Sequence, residues 1–267
     1  MRALIAFWVL AFLVSWGSGA LVAVSDQSDL VNGVHATGGA LPLPFAAALL
    51  LLLVSGSGPA VAAIVVVAAE TGWGGVRSLL GQVLHWRAPV VWYVVALVLP
   101  FLLTLIATGV WAVVSGARPS RWLPLPTLFQ LFALPLFPWG EEIGWRGFAQ
   151  PRLQASLPWL PASVIVGVMW GAWHQWPLLT PAGNGLDMGA LAVFFVYIVS
   201  EAVLIGWIYN RAGRKLPLGW AGHAGLNAVG SSPTPFGLVA AAFAATAMVV
   251  AIAGGPKPPS AHPSDAS

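Results

Sequence analysis

Residues 90–114 read VVWYVVALVLPFLLTLIATGVWAVV, 25 consecutive residues without an Asp, Glu, Lys or Arg. At about 1.5 Å per residue a helix of this length covers the roughly 30 Å hydrocarbon core of a bilayer. A membrane β-strand would alternate apolar with polar positions, and this run does not. The stretch therefore sets the fold class as helical and membrane-embedded. Working outward from it, further apolar segments fall at 4–24, 41–69, 123–150, 159–176, 188–209, 218–229 and 236–253. They predict an all-α, polytopic integral membrane protein, with about eight transmembrane helices in a single domain over residues 1–253. The seventh helix is short.

Composition agrees with this class. The 267 residues are 58% hydrophobic and only 7% charged, with a mean hydropathy of +0.85. A net charge of +3, scattered along the chain, is too small to imply a nucleic-acid partner and reads as loop charge, so no nucleic acid is expected and the lipid bilayer is the expected surroundings. With no cysteine, disulfides and thiolate metal sites are excluded as well.

Local signals refine the plan. Ser55-Gly56-Ser57-Gly58-Pro59 interrupts the second segment, predicting a kink or a division into two short elements. The stretch 75–87 places Val76, Leu79, Leu80, Val83 and Leu84 at helical spacing, as expected of an amphipathic helix on the membrane surface. The first segment is too long for the apolar core of a signal peptide and is followed by more membrane, so it reads as a retained helix. The Pro-rich tail 254–267 reads as disordered. Arg2, Arg77, Arg87, Arg152, Arg211, Arg214, Lys215 and Lys257 fall on one side of such a bundle, with Arg118 and Arg121 opposed. The positive-inside rule then puts both termini in the cytoplasm, with the protein in the cytoplasmic (inner) membrane.

Against this apolar background the fourth segment carries Pro138-Trp139-Gly140-Glu141-Glu142-Ile143-Gly144-Trp145-Arg146. A charged side chain at the centre of a membrane helix costs roughly 3 kcal/mol even on lenient scales, so three on one segment must be paired, hydrated or used. Glu142 and Arg146 stand four apart, on one helical face, and are expected to form an ion pair. Glu141 projects about 100 degrees away, which leaves its carboxylate available as a base for water. The fifth segment ends Trp170-Gly171-Ala172-Trp173-His174, and the seventh carries Gly222-His223-Ala224-Gly225-Leu226-Asn227. Glu141, Glu142, His174, His223 and Asn227 thus form one candidate polar site from three helices. The alternative for the carboxylates and Arg146 alone is a structural ion-pair cluster. A lone buried His is more often a hydrogen-bonded core residue than a catalyst.

Glu-Glu-x-x-x-Arg, then an aromatic with His four residues later, then His-x-x-x-Asn, on successive membrane helices, resembles the CAAX-protease and bacteriocin-processing (CPBP, or Abi) family of intramembrane endopeptidases. That family includes the type-II CAAX prenyl endopeptidase. The similarity runs from the fourth to the seventh segment, and Trp170 stands where the family's second motif usually has Phe. The resemblance implies that Glu141 with His174 activates the attacking water and that His223 and Asn227 stabilise the oxyanion. Glu142 with Arg146 then holds the helix in shape. It also implies a peptide, bacteriocin leader or membrane-protein segment as substrate.

Zinc is the cofactor these residue types would suit, through Glu141, His174 and His223, but no metal is assigned, because His-x-x-x-Asn is not the His-Glu-x-x-His pattern of zinc proteases. The rival readings are a non-enzymatic immunity or peptide-binding protein with the same fold, and a proton-coupled transporter using Glu141, Glu142 and Glu201. The absence of an internal repeat counts against the transporter. Helix rise puts Glu141, His174 and His223 at roughly 13, 20 and 9 Å from their helix ends. This predicts a polar intramembrane cavity opening to the cytoplasmic side. Glu201 and Trp170 are candidate cavity-lining residues. Trp139, Trp145, Trp170 and Trp173 are expected to shield the polar groups from lipid.

Overall fold

The computed structural model describes residues 1–25, 41–120, 122, 137–175, 187–229 and 234–254. Helices form because an unpaired backbone amide in hydrocarbon is costly, and a helix satisfies its own. In chain order they are α1 (Arg2–Ala23), α2 (Phe45–Gly56), α3 (Gly58–Gly81), a 3-10 turn (Gln82–Leu84) and α4 (Val90–Ser115). After these come α5 (Phe137–Gly144), a π-helical turn (Trp145–Ala149), α6 (Gln150–Leu153), α7 (Trp159–Trp173), α8 (Met188–Arg211), α9 (Leu216–Ala228) and α10 (Phe236–Ile252). Arg2–Ala23, Gly58–Leu84, Val90–Ser115 and Met188–Arg211 are long and apolar enough to cross a membrane, and α2, α7 and α10 are shorter apolar helices. The architecture is all-α and polytopic, as expected. Residues 123–136 of the fourth segment, Trp176 of the fifth and 255–267 of the tail lie outside the described residues.

The second segment divides in two at Ser57, where α2 ends and α3 starts with Pro59 in its first turn. Proline lacks the amide a helix interior needs, so the break falls before it. A reciprocal clasp holds the division against α1: Ser15 Oγ donates to the Ser55 carbonyl at 2.6 Å, and Ser55 Oγ donates to that of Ser15 at 2.9 Å. Within the range given for α3, the helical path is broken at Gly72, which separates 58–71 from a second helical stretch over 73–81, where the amphipathic helix is expected. At Gly72 φ is 67° and ψ −163°, a conformation open only to glycine. Beyond the bend Val76 and Leu79 are buried while Trp73, Leu80 and Leu84 are exposed. The expected amphipathic helix is thus present over 73–81, set off from the preceding helix by the break at Gly72 and followed by the 3-10 turn.

Helix α8 packs against α7, α9 and α10, α4 against α9 and α10, and α3 against α1 and α5. Small residues let α5 approach α3. A Cβ on Gly140 would stand 2.7 Å from Ser57 Oγ and 2.9 Å from its Cα, and one on Gly144 would meet Pro59 backbone atoms at 2.6 and 2.7 Å. These two glycines flank Glu141 and Glu142, so the same close approach that seats α5 also buries the carboxylates. Gly144→Ala should therefore lower stability by about 1–3 kcal/mol, the usual cost of overpacking against backbone that cannot yield. Thermal unfolding in detergent checks it.

Candidate functional site

The site is built around α5 and the turn that follows it. The run Trp145–Ala149 adopts π geometry, a local widening of the helix found often at functional positions. Within this run Arg146 is wholly buried and donates from Nη1 to Glu142 Oε1 at 2.5 Å. The four-residue spacing thus forms the expected pair, at a depth where neither charge reaches solvent.

Helix α9 brings His223 to the carboxylates. Its Nδ1 lies 3.1 Å from Glu142 Oε1, and its Nε2 lies 3.8 Å from Glu141 Oε1. A carboxylate accepts only, so the hydrogen bond to Glu142 requires the proton on Nδ1 and turns Nε2 toward Glu141. Glu141 and Glu142 therefore converge on one imidazole, where side-chain direction on an ideal helix suggested separate surroundings. Gly219, one turn before His223, makes room for this: a Cβ there would sit 2.7 Å from Glu142 Oε2. Glu141 is 5% exposed and His223 3%, so the cluster is almost wholly screened from solvent.

Trp170, from α7, completes the grip. Its Nε1 donates to Glu141 Oε2 at 2.6 Å, its ring meets that of His223 edge-on at 4.9 Å, and the Arg146 guanidinium lies 5.3 Å from its centre. Sequence reading placed Trp170 as a cavity wall; the indole N–H gives it a further role, aiming the carboxylate. Trp170→Phe keeps the aromatic contact and removes only that bond. A hydrogen bond to a charged group contributes about 1.5–3 kcal/mol, so any turnover that depends on Glu141 should fall by about 10- to 100-fold, with the fold retained. Steady-state kinetics alongside circular dichroism reads both.

His174 stands just past the end of α7, half-buried, with Nδ1 2.9 Å from the Trp170 carbonyl and its ring against Trp173 at 4.8 Å. Trp170 thus touches both: its ring centre lies 5.6 Å from that of His174, and its Nε1 bonds Glu141. Asn227 falls in the last turn of α9 and is exposed, whereas Gly225 and Leu226 of the same turn are buried. Trp145 and Trp173 are buried and meet edge-on at 6.1 Å, while Trp139 stacks on Trp220 at 5.4 Å on the other flank. Among the described residues no three His, Asp or Glu groups converge closely enough to hold a metal ion. As placed, Glu141, His174 and His223 do not fit a zinc site.

Glu201 of α8 is buried, with Tyr197 facing it from one turn earlier. With Ala96, Pro100, Gly222 and Phe243 it borders a void of about 10 Å³, room for a single water. This is far smaller and more apolar than the expected cavity. Segments 123–136 and 176–186, which lead into α5 and out of α7, lie outside the described residues.

Fold and site together define a polytopic helical membrane protein with a buried carboxylate–imidazole centre. Residues 121–229 match the family model described as Type II CAAX prenyl endopeptidase Rce1-like. A curated relative, "CAAX prenyl protease 2" of Methanococcus maripaludis, is 40% identical over 115 residues, covering 39% of each chain. Through this region the chain is similar to the CAAX prenyl endopeptidases. The chain spans well under half the length of that relative.

Proposed function

We propose that this protein is an intramembrane endopeptidase that hydrolyses a peptide bond with activated water and no covalent intermediate. The observation that carries the reading is the convergence of two buried carboxylates on His223, one neutralised by Arg146 and the other held by the Trp170 indole. A merely structural ion pair would need only Glu142 and Arg146.

In this mechanism Glu141 accepts a proton from a water beside it as the oxygen adds to the substrate carbonyl carbon. The carbonyl electron pair moves onto oxygen. His223, protonated at Nε2 and oriented at Nδ1 by Glu142, donates to that oxyanion, much as a carboxylate orients the imidazole of a serine-protease triad. Asn227 supplies the second donor once substrate covers the end of α9, and His174 assists Glu141 in holding the water. Collapse breaks the C–N bond, and the proton on Glu141 passes to the leaving amine. The substrate is a peptide or membrane-protein segment. A prenylated CAAX peptide, the substrate type in the relative's name, belongs in the same test. The distribution of loop charges supports an orientation with both termini in the cytoplasm.

The test incubates purified protein with a membrane-peptide library and a prenylated peptide, with and without chelator. Cleavage unaffected by chelator is expected. Cleavage abolished by chelator and restored by zinc would replace the proposed water activation with a metal-dependent one, and no cleavage of any peptide would favour a binding role.

A further inference from the structure

Away from the carboxylates, Leu84, His85, Arg87 and Lys215 line one groove of about 330 Å³. That falls within the roughly 300–1,000 Å³ typical of small-ligand sites. Lys215 immediately precedes α9, and Arg87 lies in the link between the 3-10 turn and α4. Two cations in one groove repel each other. Among the described residues neither has an acidic partner, whereas Arg146 and Arg152 each do. The arrangement calls for an anion.

Position says which kind. The candidate span Val90–Ser115 begins beside this groove, and the end of a span of that length falls at the membrane–water boundary. Trp86, 46% exposed, stacks on Tyr93 at 6.0 Å and meets Trp220 edge-on at 5.7 Å. Tyr93 in turn donates to the Trp86 carbonyl at 2.8 Å, fixing the link that carries His85 and Arg87. Amphipathic rings at a span's end occupy the headgroup level, and basic pockets between helices at that level suit anionic headgroups. Leu84, Val90 and Val91 are exposed beside the cations, where acyl chains would run.

We propose that this groove binds the phosphate of an anionic phospholipid, with Arg87 and Lys215 as its counter-charges and His85 as an additional donor. The groove adjoins the candidate site without belonging to it. Lys215 is one turn before Gly219, which packs on Glu142, and the rings of Trp86, Trp220 and Trp139 lead toward Glu141. A seated headgroup braces the start of α9 against the link before α4.

The experiment titrates the purified full chain in detergent with phosphatidylglycerol or phosphatidylcholine of identical acyl chains, reading retained lipid by native mass spectrometry and Tm by thermal unfolding. Phosphatidylglycerol should be retained selectively and raise Tm. The double variant Arg87→Gln/Lys215→Gln should weaken its binding by about 30-fold, the effect of two interfacial cations, with Tm unchanged in lipid-free detergent. Arg77→Gln/Arg118→Gln, which removes two exposed cations elsewhere, should leave selectivity intact. Equal retention of both lipids, undiminished binding in the first variant, or equal loss in both variants would overturn the proposal. So would inorganic phosphate alone reproducing the stabilisation and displacing the lipid, since the site would then take a free anion.

Discussion

Glu141→Gln is expected to lower peptide-bond cleavage by about 10²- to 10⁴-fold, the range contributed by a positioned general base, while leaving the protein folded. The amide keeps the size of the side chain and can still accept from Trp170 through its carbonyl oxygen. It cannot take a proton from water. Replacing a buried carboxylate by an amide also removes a desolvation cost, so stability should hold or rise. Wild-type turnover in this variant would refute the assignment of Glu141 as base. Loss of turnover with an unchanged Tm separates the base from a packing role, which Trp170→Phe, with its smaller expected loss, cannot do alone.

Arg146→Met should give the largest loss of stability, about 3–5 kcal/mol, because removing one partner of a buried pair strands the other charge. Arg146 and Glu142 are both wholly buried, and no water can take over the pairing. Methionine approximates the aliphatic length of the side chain, so the cost is chiefly electrostatic. The double variant Glu142→Gln/Arg146→Met removes both charges and should recover much of that loss while staying inactive, since His223 then lacks the carboxylate that orients it. A double-mutant cycle on Tm measures the coupling. Near-additive effects would mean that the pair contributes little to holding α5.

Much of this was legible because membrane sequences are constrained twice, by length and by charge. The Glu142–Arg146 pair follows from a spacing of four, and the division at Ser57 from Pro59. The bend at Gly72 was not legible, since a lone glycine at the end of an apolar run has no obligatory conformation. Nor was the Trp170 to Glu141 bond, which joins residues 29 apart in the chain on different helices. The π turn at Trp145–Ala149 has no sequence signature either, yet it sets the path of the chain at Arg146.

By itself the sequence determined that the chain is helical, that it lies in a membrane, and which few polar residues had to account for their cost there. The physical reason is that hydrocarbon tolerates only self-satisfied backbone and justified charge. Only the tertiary structure decided which groups share a neighbourhood. Glycines 140, 144 and 219 let three helices approach closely enough for two carboxylates to meet one imidazole, while Asn227, one turn beyond His223, stays exposed. Such approaches depend on which faces pack against each other, and periodicity along one strand of sequence does not encode them.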